Sequence, residues 1–143
     1  MAENLFGLIN LLPMPIWLGM LLFPRTRFTQ KMVMSYWPYM ALAGIYLLFL
    51  IISLFSTGGS ALSFSFNSLR TGLSAEWAFL AVWMHLLCFD LFTGVWIFRD
   101  AKYWGINPGI FLLVTLFLGP LGLGAYLFFR SRKSKNDPVR TLN

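Results

Sequence analysis

The chain has 143 residues, 58% hydrophobic, 18% aromatic and only 11% charged, with a formal net charge of +6. A soluble domain carries about 25% charged residues, so this composition excludes an ordinary water-soluble enzyme and indicates a protein dissolved in lipid. The positive balance does not point to nucleic acid. The basic residues sit in connections and a tail between apolar runs, where lipid headgroups and topology signals account for them.

Four apolar runs, Leu5–Phe23, Tyr36–Phe55, Trp77–Phe98 and Gly109–Phe129, are each long enough to span a bilayer. They predict an all-α membrane protein: four transmembrane helices in a small bundle, with the first and last kinked or broken. Residues 1–130 form its single domain, and 131–143 a basic polar tail. Residues 1–4 offer neither the basic n-region nor the cleavage site of a signal peptide, so the first span is expected to be retained.

The first run contains Pro13 and Pro15, each of which removes a helical hydrogen bond. Asn10, one turn earlier, is placed to answer a freed carbonyl. Pro24 ends the run, and Arg25, Arg27 and Lys31 mark a headgroup-level connection. The second run opens with the interfacial aromatics Tyr36, Trp37 and Tyr39. Its small residues Ala41, Ala43 and Gly44 suit a scaffold helix. Ser56 to Leu73 reads as a loop. Leu62 to Phe66 alternates apolar residues with Ser, but a lone strand lacks a partner, so a re-entrant or surface-lying segment is expected.

The third run carries His85 and Asp90 inside the span. An ionised carboxylate at that depth costs at least about 2.5 kcal/mol, which makes the pair the default site. At 100° per residue the two lie about 140° apart around the helix, too far round to bond each other directly. Arg99 is about 13 Å further along the axis and is not a ready partner for Asp90. Asp90 is therefore protonated, paired elsewhere or facing water. Protonated, it is a general acid; a structural carboxyl bonded to another helix is the competing reading. A neutral imidazole bonding across helices is the plain reading of His85. The sole cysteine, Cys88, excludes a disulfide within the chain and reads as a small apolar residue.

Arg99, Asp100, Lys102, Tyr103 and Trp104 make the next connection. The last run contains Gly119, Pro120, Gly122 and Gly124, a stretch that breaks a helix and lets a backbone or flat ligand approach. Tyr126 follows, then a tail with Arg130, Arg132, Lys133, Lys135 and Arg140 that is expected to be unstructured. With four spans, six basic residues fall on the side of the termini and five on the other, so orientation is undecided.

No phosphate-binding glycine loop, CxxC, HExxH or GxSxG is present. One His and one Cys exclude a zinc site within one chain. No cofactor is expected; a redox metal would need a haem with His85 as axial ligand.

The run EWAFLAVWMHLLCFDLFTGVWIFRDA, with GPLGLGAYLFFR near the end and Asn10, Trp17 and Pro24 in the opening, resembles the plant abscisic-acid-deficient-four family. Those plastid membrane proteins are linked to neoxanthin formation. The resemblance implies a carotenoid isomerase that opens a xanthophyll epoxide to an allene without a redox cofactor. Asp90 would be the acid and His85 the base or orienting group. Trp83, Asn10, Gly119, Gly122 and Tyr126 would contact the substrate. It further implies a prokaryotic member in a bacterial inner or thylakoid membrane. Its partners would be a carotenoid or isoprenoid lipid, membrane lipids and a homo-oligomer or larger membrane complex, but no nucleic acid. The rival from another class is a non-enzymatic pigment-binding or assembly subunit. A proton- or solute-conducting channel is the third reading.

Overall fold

The computed structural model describes residues 2–56 and 65–135, and these form eight helices without a strand. They are α1 (Ala2–Leu11), α2 (Met14–Leu22), α3 (Arg27–Met34), α4 (Trp37–Ser56), α5 (Phe66–Leu73), α6 (Glu76–Trp104), α7 (Gly109–Leu118) and α8 (Pro120–Lys135). Three stretches are long and apolar enough to cross a membrane: Glu3–Leu22, Trp37–Ser56 and Glu76–Trp104. Many large apolar side chains point outward, Phe55 at 86% and Phe117 at 78% exposed. Water would penalise that surface and hydrocarbon does not. The protein is an all-helical membrane protein.

The chain folds as two compact units, Met1–Pro15 with Ser35–Phe89 and Ile16–Met34 with Asp90–Asn143, and α6 runs through both. In the first unit, α1 ends at Leu11, just before the prolines, as their chemistry requires. The Leu12 N–H donates to the Ile9 carbonyl at 3.3 Å, covering the acceptor that Pro13 cannot serve. Asn10 does not take that task. Its Nδ2 donates instead to the Phe6 carbonyl at 2.7 Å. The expected loop before α6 contains α5, started by Ser65, whose hydroxyl accepts from the Ser68 N–H at 3.2 Å. The Ser–Phe alternation lies mostly outside the described residues, and Phe66 opens α5.

In the second unit, α3 replaces what reads as a plain connection. Thr26 caps it, its Oγ1 accepting from the Thr29 N–H at 3.3 Å. Trp17, 2% exposed, lays its ring on Gly94, where any Cβ would collide with it.

The last apolar run is not a fourth span. Gly119 takes a left-handed φ of 47° between α7 and Pro120, the first residue of α8, and the chain turns back. Phe111 stands 5.5 Å from Tyr126 and 5.4 Å from Phe129, ring centre to ring centre. In a continuous helix Phe111 and Tyr126 would be about 22 Å apart. Gly122 packs against the backbone of Thr115, and the Lys133 Nζ donates to the Gly105 carbonyl at 2.7 Å, just before α7 begins. The hairpin therefore returns to the end it started from. Ten residues of α7 reach about 15 Å, half of a bilayer core of about 30 Å. This is the geometry of a re-entrant hairpin, in place of the fourth helix of a bundle. The helix also continues through Lys135, so Arg130, Arg132 and Lys133 sit on α8 instead of in a loose tail.

Gly122 and Gly124 separate the two reasons a glycine can stand here. A Cβ on Gly122 would overlap the Thr115 backbone, whereas nothing lies within 4 Å of the same atom on Gly124. Gly122→Ala should cost about 1–3 kcal/mol by overpacking, and Gly124→Ala should be neutral or slightly stabilising. Thermal unfolding in detergent measures both, and equal effects would contradict the hairpin contact.

Candidate functional site

Asp90 lies midway along α6, fourteen residues after Glu76 and fourteen before Trp104. That leaves about 21 Å of helix on either side. Its carboxyl rests over Gly119, so close that a Cβ there would come within 2.9 Å of Oδ1. Gly119 thus has two reasons to be glycine, its φ of 47° and its carboxylate neighbour. Asp90 is half-buried and has no hydrogen-bond or ion-pair partner among the described residues. Beside it the backbone is incomplete. The Gly119 N–H donates to the Thr115 carbonyl at 2.8 Å, but Pro120 has no N–H to offer the next carbonyl, that of Leu116. An unpartnered carboxyl beside a helix break at mid-span can hold, give and take a proton in an apolar setting.

His85 belongs to the first unit, on the exposed face of α6, with its ring 5.6 Å from Tyr46 and 4.7 Å from Phe89. It is flanked by rings and is not the buried group that the sequence suggests. Asn10 and Trp83, by contrast, meet directly. The indole N–H of Trp83 donates to the Asn10 Oδ1 at 3.0 Å. Trp83 also stacks with Phe79 at 6.1 Å and leans on Phe6 at 5.2 Å. Phe6 and Phe79 in turn line an apolar cleft of about 460 Å³ with Glu3 and Glu76 at its polar edge.

Of the residues expected to contact a ligand, Gly122 gives its open side to Thr115. Tyr126 is fully buried, and its hydroxyl donates to the Asp100 Oδ2 at 2.5 Å. The Arg130 Nε lies 3.1 Å from the same oxygen, and its guanidinium sits over the rings of Trp104 at 5.3 Å and Trp96 at 5.8 Å. Asp100 and Arg130 were not legible as partners, because one reads as a connection and the other as tail. Only the return of the hairpin brings them together. The Trp104 Nε1 is buried without a hydrogen-bond partner among the described residues. No cluster of three His, Cys, Asp or Glu suited to a metal ion occurs among the described residues.

The Asn10–Trp83 bond is testable by itself. A double-mutant cycle with Asn10→Ala and Trp83→Phe should show a coupling of about 0.5–1.5 kcal/mol in detergent unfolding. Strict additivity would mean that the bond does not form.

No curated protein and no solved structure matches the chain. The profile of one family, described as ABA DEFICIENT 4-like, matches residues 4–126. That stretch runs from α1 to Tyr126 in α8 and takes in Asn10, Trp83, His85, Asp90, Gly119 and Gly122. With most of its length matched, the chain belongs to the ABA DEFICIENT 4-like family.

Proposed function

We propose that this membrane protein isomerises a polyene lipid, a xanthophyll epoxide or related isoprenoid, with Asp90 as the proton-transfer group. The observation that carries the reading is the Asp90 carboxyl itself: mid-span, half-exposed, and without a partner among the described residues. A group of that kind costs stability, and within a span it is by default a functional one. Family membership supports the substrate class, since the plant family it resembles is linked to neoxanthin formation.

Epoxide-to-allene isomerisation moves one proton from carbon to oxygen and needs no electrons from outside. The protonated carboxyl donates to the epoxide oxygen as the carbon–oxygen bond next to the polyene breaks, leaving a hydroxyl. A proton leaves the adjacent polyene carbon, and its bonding pair becomes the second double bond of the allene. If the other carboxyl oxygen accepts that proton, Asp90 is restored to its starting state and acts as both acid and base. His85 lies about 140° away around the helix and belongs to another surface. The base is thus assigned to Asp90, and His85 is left outside the proton transfer.

Reconstituted protein supplied with violaxanthin, followed by chromatography of the pigments, tests this. Asp90→Asn should lower turnover by at least about 100-fold while the protein still folds and still retains pigment. His85→Phe should keep turnover. Pigment retained by wild type without conversion would favour a binding or assembly subunit instead. Loss of turnover in His85→Phe would return the base to the imidazole. The helix break beside Asp90 also favours a second reading, proton conduction. A proton flux in liposomes that Asp90→Asn abolishes, without pigment chemistry, would decide for it.

A further inference from the structure

The second unit concentrates positive charge at one end. Gln30 of α3 accepts from the Lys102 Nζ at 2.9 Å, and Lys133 of α8 reaches the Gly105 carbonyl at 2.7 Å. These bonds fix α3, the end of α6 and the end of α8 at one level. The partners are neutral, so both cations keep their charge uncompensated. Arg25 has no acidic partner among the described residues, and Asp100, the one described carboxylate at this end, is taken by Arg130 and Tyr126.

At the same end, between the end of α2, the end of α6 and the connections that follow them, lies a cleft of about 770 Å³. Arg25 and Lys102 stand in its wall together with Leu22, Phe23, Phe98 and Asn107. Leu22 and Trp104 are the last residues of two of the membrane-length stretches, which puts the cleft at headgroup depth. Its walls are of two kinds, cationic and apolar. A soluble phosphate would use only the cations, whereas a phospholipid would use both: its phosphate at Arg25 and Lys102, its first methylenes against the exposed Leu22 and Phe23.

We propose that this cleft binds the headgroup of an anionic phospholipid in the cytoplasm-facing leaflet. The leaflet follows from three crossings and a hairpin that does not cross. Counted that way, Arg70 is the lone basic residue among the described ones on the opposite side, and Glu3 and Glu76 accompany it. Basic residues mark the cytoplasmic side, whose lipids carry the negative charge. This inference does not depend on what Asp90 does.

The test is native mass spectrometry of the full chain in neutral detergent, titrated with phosphatidylglycerol or phosphatidylcholine. Phosphatidylglycerol should be retained in preference, and Arg25→Gln with Lys102→Gln should weaken it about fivefold per cation removed. Arg70→Gln should leave it unchanged. Equal retention of the two lipids, no effect of the double variant, or full displacement of the lipid by inorganic phosphate would overturn the proposal. Should the double variant lose its helical circular dichroism, the exposed Arg25→Gln carries the test alone. It should lose affinity about fivefold, and no loss counts against the site.

Discussion

Turning a chain around inside hydrocarbon leaves backbone groups that water cannot satisfy, and such a turn survives only when protein covers it. The contact of Gly122 with the Thr115 backbone makes that possible here. Without a side chain at Gly122, α8 can lie directly on α7. Phe111 then packs on Tyr126 and Phe129, and Tyr126 is presented to Asp100. Each later contact of the second unit needs this one first: Arg130 with Asp100, and Lys133 with Gly105. A helix that crossed without turning would carry those two cations to the far face.

The same turn sets the chemistry of Asp90. Proline at position 120 removes a donor, and the left-handed glycine before it leaves a bare Cα on which the carboxyl rests. The opposed ends of α7 and α8 meet there, one presenting carbonyls and the other N–H groups, so their partial charges oppose each other near the carboxyl. What remains is a half-buried carboxyl without a partner among the described residues. That is why the functional reading rests on Asp90. Trp83 and Asn10 satisfy each other, and Tyr126 is occupied by Asp100.

The all-helical membrane class, the break at Pro13 and Pro15, and the mid-span place of Asp90 were all legible in the sequence. Each follows from a local rule: run length, a missing N–H, or the cost of charge in lipid. The hairpin was not, although its signals, Gly119, Pro120 and Gly122, were in view. Hydropathy measures how apolar a run is and is blind to whether it continues or turns back. A straight span and a hairpin of Gly109–Phe129 have the same composition. Two short helices, α3 and α5, were missed for a smaller reason. Their caps, Thr26 and Ser65, each sit three residues before the N–H they accept from, but neither helix has an apolar run to draw attention to it. His85 was expected to be buried because it lies in a span. Depth in a membrane and burial in protein are different quantities, and a residue at mid-helix can still face outward.

The charge count shows how one error of topology spreads. With four crossings the chain's basic residues divide almost evenly between the two sides, and the rule that reads orientation from them returns nothing. If three stretches cross and the last run turns back, the basic end of α8 falls on the side of Arg25, Lys31 and Lys102, and Arg70 is the one basic residue opposite among the described residues. On that path the sequence carries a bias that four crossings hide. Its physical consequence is local. Several like charges gathered at one level repel one another unless something anionic lies among them, and the described protein supplies only Asp100, already engaged. A leaflet rich in phosphate meets that need without any further acidic residue. The end of the molecule that looks most overcharged in isolation is the end best matched to a membrane surface.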